Sequence, residues 1–329
     1  MLKFLFLLFP IICFSYTKSD HFDGERFFNP HGDDLKSFWD VMKWKMTSTP
    51  EEWPKHVANK HYPLKFLISS EKMNATFINH STFFIQFPGV NLLTDPVFSE
   101  RVSPVSFAGP KRVRSPGISF EELPPIDVVI ISHNHYDHLD LTSLVMIDKK
   151  FHPLFIVPIG DEKLLLKAGI QNVKALDWWE EIRVKDVRFI FTPSQHWSAR
   201  SFWDKNECLW GSYMIDSGNY KIYFAGDTGH GKHFLETTRR LGPPDLALLP
   251  IGAYKPRWFM KYYHLDPEEA VLAHIDLKAK RSIAMHFGTF QMSDEAIDEP
   301  VRDLKRALEK LKISQEEFLI LEEGQGVAD

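Results

Sequence analysis

The stretch Pro124–Asp140, PPIDVVIISHNHYDHLD, sets an apolar run directly against nine residues, Ser132–Asp140, that hold three histidines and two aspartates. The run PPIDVVII is short and rich in β-branched residues, so it predicts a buried strand. The polar segment begins where that strand ends. In open α/β sheets the crevice just past the strand ends is where ligands are held. His133, His135, Asp137 and His138, spaced H-x-H-x-D-H, can there aim four donors at one small volume. A neutral imidazole binds zinc at about 2.0–2.1 Å and a carboxylate oxygen at about 2.0–2.2 Å. One such histidine would be read as a hydrogen-bonding loop residue. Four metal-type donors behind a buried strand point to a metal site.

Four donors from one loop cannot enclose two metals, and three further positions repeat the same context. His196 follows RFIFTPSQ, Asp227 follows KIYFAG, and His286 follows RSIAM, each an apolar strand candidate. Gly226 and Gly229 beside Asp227 allow a tight turn there. The only cysteines are Cys13 and Cys208. This excludes a cysteine-based metal site and, if the N-terminus is removed, an intrachain disulfide.

The remaining pattern is that of a layered α/β chain. ATFINH, STFFIQF and VNLLTD predict strands near the start, followed by helix SLVMIDKK, strand LFIVPI and helix DEKLLLKAG ending at Gly169. RVKDVRFIFTPS and CLWGSYMIDSGNYKIYFAGD predict paired strands, the second turning at Ser-Gly-Asn. DLALLPIG and RSIAMHF predict strands, DPEEAVLAHI and VRDLKRALEKL helices, and EFLILEE a closing strand. The order of strands then mixed α/β occurs twice, which suggests two similar halves packed together.

With the ligands in place, the chain resembles the metallo-β-lactamase superfamily. H-x-H-x-D-H, a later His, an Asp in GDT and a final His are that superfamily's ligand pattern. The resemblance implies an α/β fold of αββα sandwich type, two mixed β-sheets flanked by helices, with two zinc ions per chain. It implies that His133, His135 and His196 hold one ion, that Asp137, His138 and His286 hold the other, and that Asp227 bridges them. The superfamily's oxygen-reducing di-iron members carry a Glu where this chain has His135, so His135 implies hydrolysis.

RFFNP, QHWSAR, LWGSY, FAGDTGH, GAYKPRWFM and HLDPEEA, together with SHNHYDHLD, extend the resemblance to the N-acyl-phosphatidylethanolamine-hydrolysing phospholipases D. They run from about Arg26 to Phe290. The resemblance implies a phosphodiesterase that releases N-acylethanolamine and phosphatidic acid from a phospholipid substrate. Asp137 and Asp227 would be catalytic as well as ligands. His264 would touch phosphate or leaving group, and Tyr254 and Arg257 would line the substrate mouth. Tyr263 departs from the Gln expected in the animal enzymes. The alternative is another hydrolase of the same fold: a lactonase, a cyclic phosphodiesterase or a nuclease.

Composition bounds the partners. A net charge of −5 gives no bulk attraction to nucleic acid, and 27 Phe with 9 Trp suggest apolar pockets. Leu35, Phe38, Trp39, Met42 and Met46 recur at helical spacing, predicting an amphipathic helix that packs on the core or meets lipid or a second copy of the chain. Trp258-Phe259-Met260 offers a second apolar approach, so peripheral membrane contact and a homodimer are both expected as possibilities. Trp178, Trp179 and Trp203 read as packing residues. His230 and His233 read as lying behind the site, and His21, His31, His56, His61, His80, His152 and His274 as structural or surface. The apolar stretch Phe4–Phe14 is too short to span a bilayer and has the length of an export signal. The expected organisation is a signal-like segment 1–19 and one hydrolase domain 20–329, whose lead-in 20–68 carries the amphipathic helix.

Overall fold

Strand after strand buries both of its faces, and alternate residues enter different cores. In Phe83-Phe84-Ile85, Phe83 and Ile85 join one apolar cluster and Phe84 another. Val128 and Ile130 point with the first set, Val129 and Ile131 with the second. A period of two with no polar face is what a sheet covered on both sides requires. The structure is a computed structural model that describes residues 16–32, 36–67 and 72–329. The apolar stretch Phe4–Phe14 and Leu35 lie outside the described residues.

Two seven-stranded sheets stack face to face. The first contains β1 (Asn74–Asn79), β2 (Thr82–Phe87), β3 (Val90–Thr94), β4 (Val128–Ile130), β5 (Leu154–Pro158) and β6 (Val173–Leu176). The second contains β7 (Glu181–Val184), β8 (Val187–Thr192), β9 (Ser212–Asp216), β10 (Lys221–Phe224), β11 (Leu246–Pro250), β12 (Arg281–Met285) and β13 (Phe318–Leu319). The last strand, β14 (Gly326–Ala328), returns to pair with β1. In each sheet an antiparallel run passes into a parallel one, β1-β2-β3 into β4-β5-β6 and β7-β8-β9-β10 into β11-β12-β13. The two halves are thus alike, as the repeated element order suggests. The closing segment differs from expectation: EFLILEE contributes only the two-residue β13, and β14 lies beyond it.

Helices α1 (Phe38–Thr47), α2 (Leu141–Phe151), α3 (Glu162–Lys167), α4 (His233–Leu241), α5 (Arg257–Met260), α6 (Pro267–Leu277) and α7 (Glu299–Leu311) complete the chain. Leu144 and Ile147 of α2 and Leu165 of α3 pack on the outer face of the first sheet with Phe155 and Val157. Ala270, Val271 and Leu277 of α6 and Leu304 and Leu308 of α7 pack against the second. Asp266 caps α6 by accepting from Glu269 N–H, with Pro267 at the first turn, as its DPEE start predicts. Ser37 and Asp40 cap α1 in the same reciprocal way. Among the described residues no helix is long and apolar enough to cross a membrane.

Candidate metal centre

The donors sit on loops that leave the ends of strands in both sheets. β4 leads into His133–His138, β8 into His196, β10 into Asp227 and β12 into His286. Gly226, with φ of 57°, takes the turn ahead of Asp227, and a Cβ there would lie 2.5 Å from the Ser132 Cβ. All seven residues named from the sequence come together; six are buried and His135 is half-buried.

They form two clusters. In the first, Nδ1 of His135 lies 2.9 Å from Nε2 of His133 and 3.2 Å from Nε2 of His196. One proton can serve only one of those nitrogen pairs. Three imidazole nitrogens converging on one point therefore fit a cation better than they fit one another. His196 is set for this: its Nδ1 donates to the Tyr263 carbonyl at 3.0 Å, which leaves Nε2 a lone pair. In the second, Nε2 of His138 is 3.2 Å from Oδ2 of Asp137 and 3.3 Å from Oδ2 of Asp227. Nε2 of His286 is 3.3 Å from the same Asp137 oxygen and 3.2 Å from the same Asp227 oxygen. Donors at tetrahedral zinc distances stand about 3.3 Å apart. Asp227 Oδ2 also lies 3.9 Å from Nε2 of His196, so this carboxylate faces both clusters. Its Oδ1 is buried without a hydrogen-bond partner, as are Nε2 of His135 and Nδ1 of His264. The donor set fits metal ions at both places.

Electrostatics agree. Burial and the neighbouring imidazoles hold His133 and His196 well below the ordinary histidine range, and burial brings His135 to about 4. These rings are neutral, the state that ligates. Burial also acts against charge on Asp137 and Asp227, yet His138 keeps both well below the usual carboxylate range. In return, and against burial, Asp227 lifts His286 to about 9 and, with Asp137, lifts His138 well above the ordinary histidine range. Two buried carboxylates thus draw positive charge into the site, which bound cations would supply.

A supporting layer surrounds the donors. Asp95 accepts from His138 Nδ1 at 2.7 Å, from Ser132 N–H at 2.7 Å and from the Ser132 hydroxyl at 2.6 Å. That fixes the tautomer that leaves His138 Nε2 facing Asp137 and Asp227. Arg200 donates to the carbonyls of Asn134 and Leu139, both at 2.8 Å, and its guanidinium lies 3.9 Å over the Tyr136 ring. The ligand loop is clamped from both ends. Asp161 sits buried behind that loop, and burial lifts its carboxyl to about 8.

One histidine corrects the sequence reading. His80, read as structural or surface, is buried in the site, with Nε2 donating to Asp137 Oδ2 at 3.0 Å. Its carbonyl accepts the His286 N–H, and its ring lies 4.1 Å from that of His286. The signal was present: His80 follows β1 directly, as the other donors follow their strands. It was weak because the turn holds a single donor. His233 donates or accepts at Thr228 Oγ1, 3.1 Å away and next to Asp227, whereas His230 pairs with Asp276.

A cavity of about 410 Å³ opens over the cluster. His135, Asp137, Asp227 and His264 form its floor, and Trp44, Trp197, Phe259, Met260 and Met292 give it apolar walls. His264 is brought beside the metal cluster, its Nδ1 3.8 Å from Asp227 Oδ2, and burial depresses it to about 4. Tyr263 lines the same cavity. Tyr254 and Arg257 do not, which corrects their expected place at the mouth. They line a separate hollow, where the Tyr254 hydroxyl donates to Asp303 and Arg257 donates to the His264 carbonyl and to Glu269. Arg257 thus holds the His264 backbone and the start of α6. The predicted stripe on α1 is also corrected in part. Val41 and Trp44 face the cavity, while Trp39, Met42 and Met46 are exposed. Of the three tryptophans read as packing, Trp178 is buried and Trp179 half-buried, whereas Trp203 is exposed. Cys208 is a free thiol.

Residues 90–287 match the beta-lactamase superfamily domain. The N-acyl-phosphatidylethanolamine-hydrolyzing phospholipase D 1 of Caenorhabditis elegans is 39% identical over 259 residues, 74% of this chain and 73% of its own. The mitochondrial enzyme of the same name from Saccharomyces cerevisiae is 39% identical over 241 residues, 71% of this chain and 51% of its own. Among solved structures, an isothiocyanate hydrolase from Delia radicum gut bacteria superposes with a TM-score of 0.61 at 21% identity, over 78% of this chain and 99% of that one, which is a likeness of fold. Strand-end donors, stacked sheets and a likeness running through three quarters of the chain place it in the beta-lactamase superfamily, within the family of N-acyl-phosphatidylethanolamine-hydrolysing phospholipases D.

Proposed function

We propose that the protein is a zinc-dependent phosphodiesterase of phospholipase D type, with two Zn²⁺ per chain, that converts N-acyl-phosphatidylethanolamine to N-acylethanolamine and phosphatidic acid. The observation that carries this reading is the position of Asp227, which faces both donor clusters at the floor of an apolar-walled cavity. An anionic phosphodiester needs positive charge at the floor, and acyl chains need apolar walls. His133, His135 and His196 would hold one ion, Asp137, His138 and His286 the other, and Asp227 both. Bound there, the cations would supply Lewis acidity, offsetting charge on the phosphoryl oxygens and making water acidic enough to attack near neutral pH.

The chain's own side chains do the rest. Water adds to phosphorus, and the bond from phosphorus to the head-group oxygen breaks. Asp137, at the cavity floor, is the proposed carrier of the proton to that departing oxygen, oriented by the His80 N–H on its Oδ2. His264 is neutral at physiological pH and is proposed to donate a hydrogen bond to the phosphate or the leaving oxygen. The apolar walls exclude bulk water, which strengthens each of these interactions.

Mass spectrometry of the products tests the reading, with N-acyl-phosphatidylethanolamine set against a lactone and a cyclic nucleotide. N-acylethanolamine plus phosphatidic acid is expected from the first, with little turnover of the others. Free fatty acid in place of N-acylethanolamine would refute the bond assignment, and preference for the lactone or the cyclic nucleotide would favour another hydrolase of the fold. Export through the N-terminal segment and homodimer formation remain part of the proposal, checked by N-terminal sequencing of the mature protein and by analytical ultracentrifugation.

A further inference from the structure

A second hollow, of about 330 Å³, adjoins the loops that carry His196 and Asp227 and shares no lining residue with the cavity over the metal cluster. Ser194 and Gln195 line it from the first loop. Lys232 and His233 line it from the segment that continues the second loop into α4. RFFNP supplies Asn29 and Pro30, so this motif serves the hollow and not the cavity. Trp178 and Trp179 give it an aromatic wall.

Unanswered donors gather there. After β10 the chain passes through GDTGHGKH, residues 226–233, into α4, and no side chain caps that helix. Gly229 permits the close passage, since a Cβ there would lie 2.0 Å from the Tyr262 carbonyl oxygen. Lys232, His233 and Glu236 of the first turn line the hollow, so the positive end of the helix belongs to it. The Glu236 carboxylate does not cancel that end, because its Oε1 accepts from Arg240 at 2.6 Å. Among the described residues Lys232 pairs with no acidic group. Ser194 is 4% exposed, and its hydroxyl is buried without a hydrogen-bond partner. A buried hydroxyl is normally met by protein, water or a ligand.

The other charges of the hollow are paired. His21 stacks on Trp178 with ring centroids 4.4 Å apart and is held between Asp20 and Asp177, at 2.6 and 2.7 Å. Trp179 takes a φ of 71°, a left-handed backbone that a bulky residue rarely adopts, with its N–H on the Phe191 carbonyl and its ring 4.0 Å from the Arg240 guanidinium. Selection therefore falls to the unpaired donors and not to net charge. A phosphate monoester carries close to two charges and three acceptor oxygens near neutral pH, where a carboxylate has one charge and two oxygens. A helix start, a lysine and a hydroxyl suit such a group, and the organic remainder meets the tryptophan wall.

The path to the metal centre is short. Thr228 Oγ1 accepts from Gln195 N–H at 2.9 Å and lies 3.1 Å from His233 Nε2. Gly229 N–H donates to the Gln195 carbonyl at 3.0 Å, and Asn29 Nδ2 donates to the His196 carbonyl at 2.9 Å. The loops of Asp227 and His196 are thus tied to each other through residues of the hollow. Independently of the substrate assigned to the cavity, we propose that this hollow is a second ligand site, which takes a small phosphate monoester and, when filled, restrains the loops of His196 and Asp227.

Calorimetric titration of the metal-loaded full chain with glycerol 3-phosphate, dihexanoyl phosphatidic acid, inorganic phosphate and sulfate tests the site. The two esters should bind more tightly than sulfate. Lys232→Glu and Ser194→Ala should each weaken ester binding at least about tenfold, the loss expected of a hydrogen bond to a charged group, with metal content unchanged. Tighter binding of dihexanoyl phosphatidic acid than of glycerol 3-phosphate would make the occupant a lipid head group, and the reverse a soluble ester; both uphold the site. No binding at millimolar ester, or sulfate binding as tightly, would overturn it. So would an affinity that survives both variants and disappears on chelation, because the ester would then sit on the metal ions. Bound ester should also slow transfer of metal to a chelating dye at least about fivefold in the native chain and not in Lys232→Glu. A transfer rate indifferent to ester would overturn the restraint on the loops.

Discussion

The cluster of His133, His135 and His196 presents three neutral imidazoles to one point, whereas that of Asp137, His138, His286 and Asp227 sets two carboxylates among imidazoles. The difference is one of self-sufficiency. Without cations, the carboxylate cluster neutralises itself by drawing protons onto His138 and His286. The imidazole cluster has no such recourse, since its nitrogens can share a proton only pairwise. Asp227 joins the two, so the halves are chemically unlike but not independent.

Asp227→Asn should break the comparison most severely. Removing the charge of the shared carboxylate weakens the hold on both clusters. Steady-state kinetics should then show a loss of kcat/KM on the order of 10³-fold, several kcal/mol of transition-state stabilisation. Near-normal turnover would remove Asp227 from its assigned place. Next in size are the supports of the carboxylate half. His80→Ala and Asp95→Asn should each lower metal affinity or activity about 10–100-fold, and competition with a chelating dye separates the two effects. If His80→Ala changed nothing, its hydrogen bond to Asp137 would be incidental.

The loop that supplies ligands to both halves offers a third way in. Arg200→Gln deletes the donors to the Asn134 and Leu139 carbonyls and the stacking on Tyr136. A charged hydrogen bond contributes about 1.5–3 kcal/mol, so thermal unfolding and metal retention should fall together, with Arg200→Lys recovering part of each. A smaller effect is expected behind the loop. Asp161 folds with its carboxyl near 8 but unfolds to a group that titrates near its ordinary value of 3.8. Between those values the unfolded chain has released a proton that the folded chain keeps, so this group makes stability fall as pH rises and stops doing so above about pH 8. Asp161→Asn should remove that slope, and its melting temperature should gain on the native protein from about pH 5 to about pH 8. Equal gaps at both pH values would contradict the assignment. Smallest of all, Arg257→Gln should cost some stability at α6 but leave KM unchanged, because its guanidinium serves the His264 carbonyl and Glu269.

The metal ligands were legible because the chemistry repeats a local signature, a donor immediately after an apolar strand, four times over. The sandwich was legible because strands buried on both faces carry no polar alternation, and PPIDVVII, LFIVPI and DLALLPIG all lack it. His80 has the same context but stands alone in a two-residue turn, so nothing separated it from an ordinary histidine. Asp95 and Arg200 act on residues 43 and 61–66 positions away, and sequence spacing carries no trace of such contacts. The stripe on α1 was recognised, but apolar periodicity cannot say whether a face meets protein or solvent. Here the residues turned to the cavity, Val41 and Trp44, lie between members of the stripe. GAYKPRWFM matched in letters, yet the direction in which Tyr254 and Arg257 point is set by Asp303 and Glu269, which the motif does not contain.

The central claim is a centre of two metal ions, one for each unlike cluster. Elemental analysis of the purified full chain tests it most directly, comparing the native protein with His196→Ala and His286→Ala at matched concentration. The account predicts close to two zinc ions per native chain and loss of about one from each variant, from opposite clusters. A native protein holding one ion or none, with hydrolysis indifferent to chelators, would contradict it.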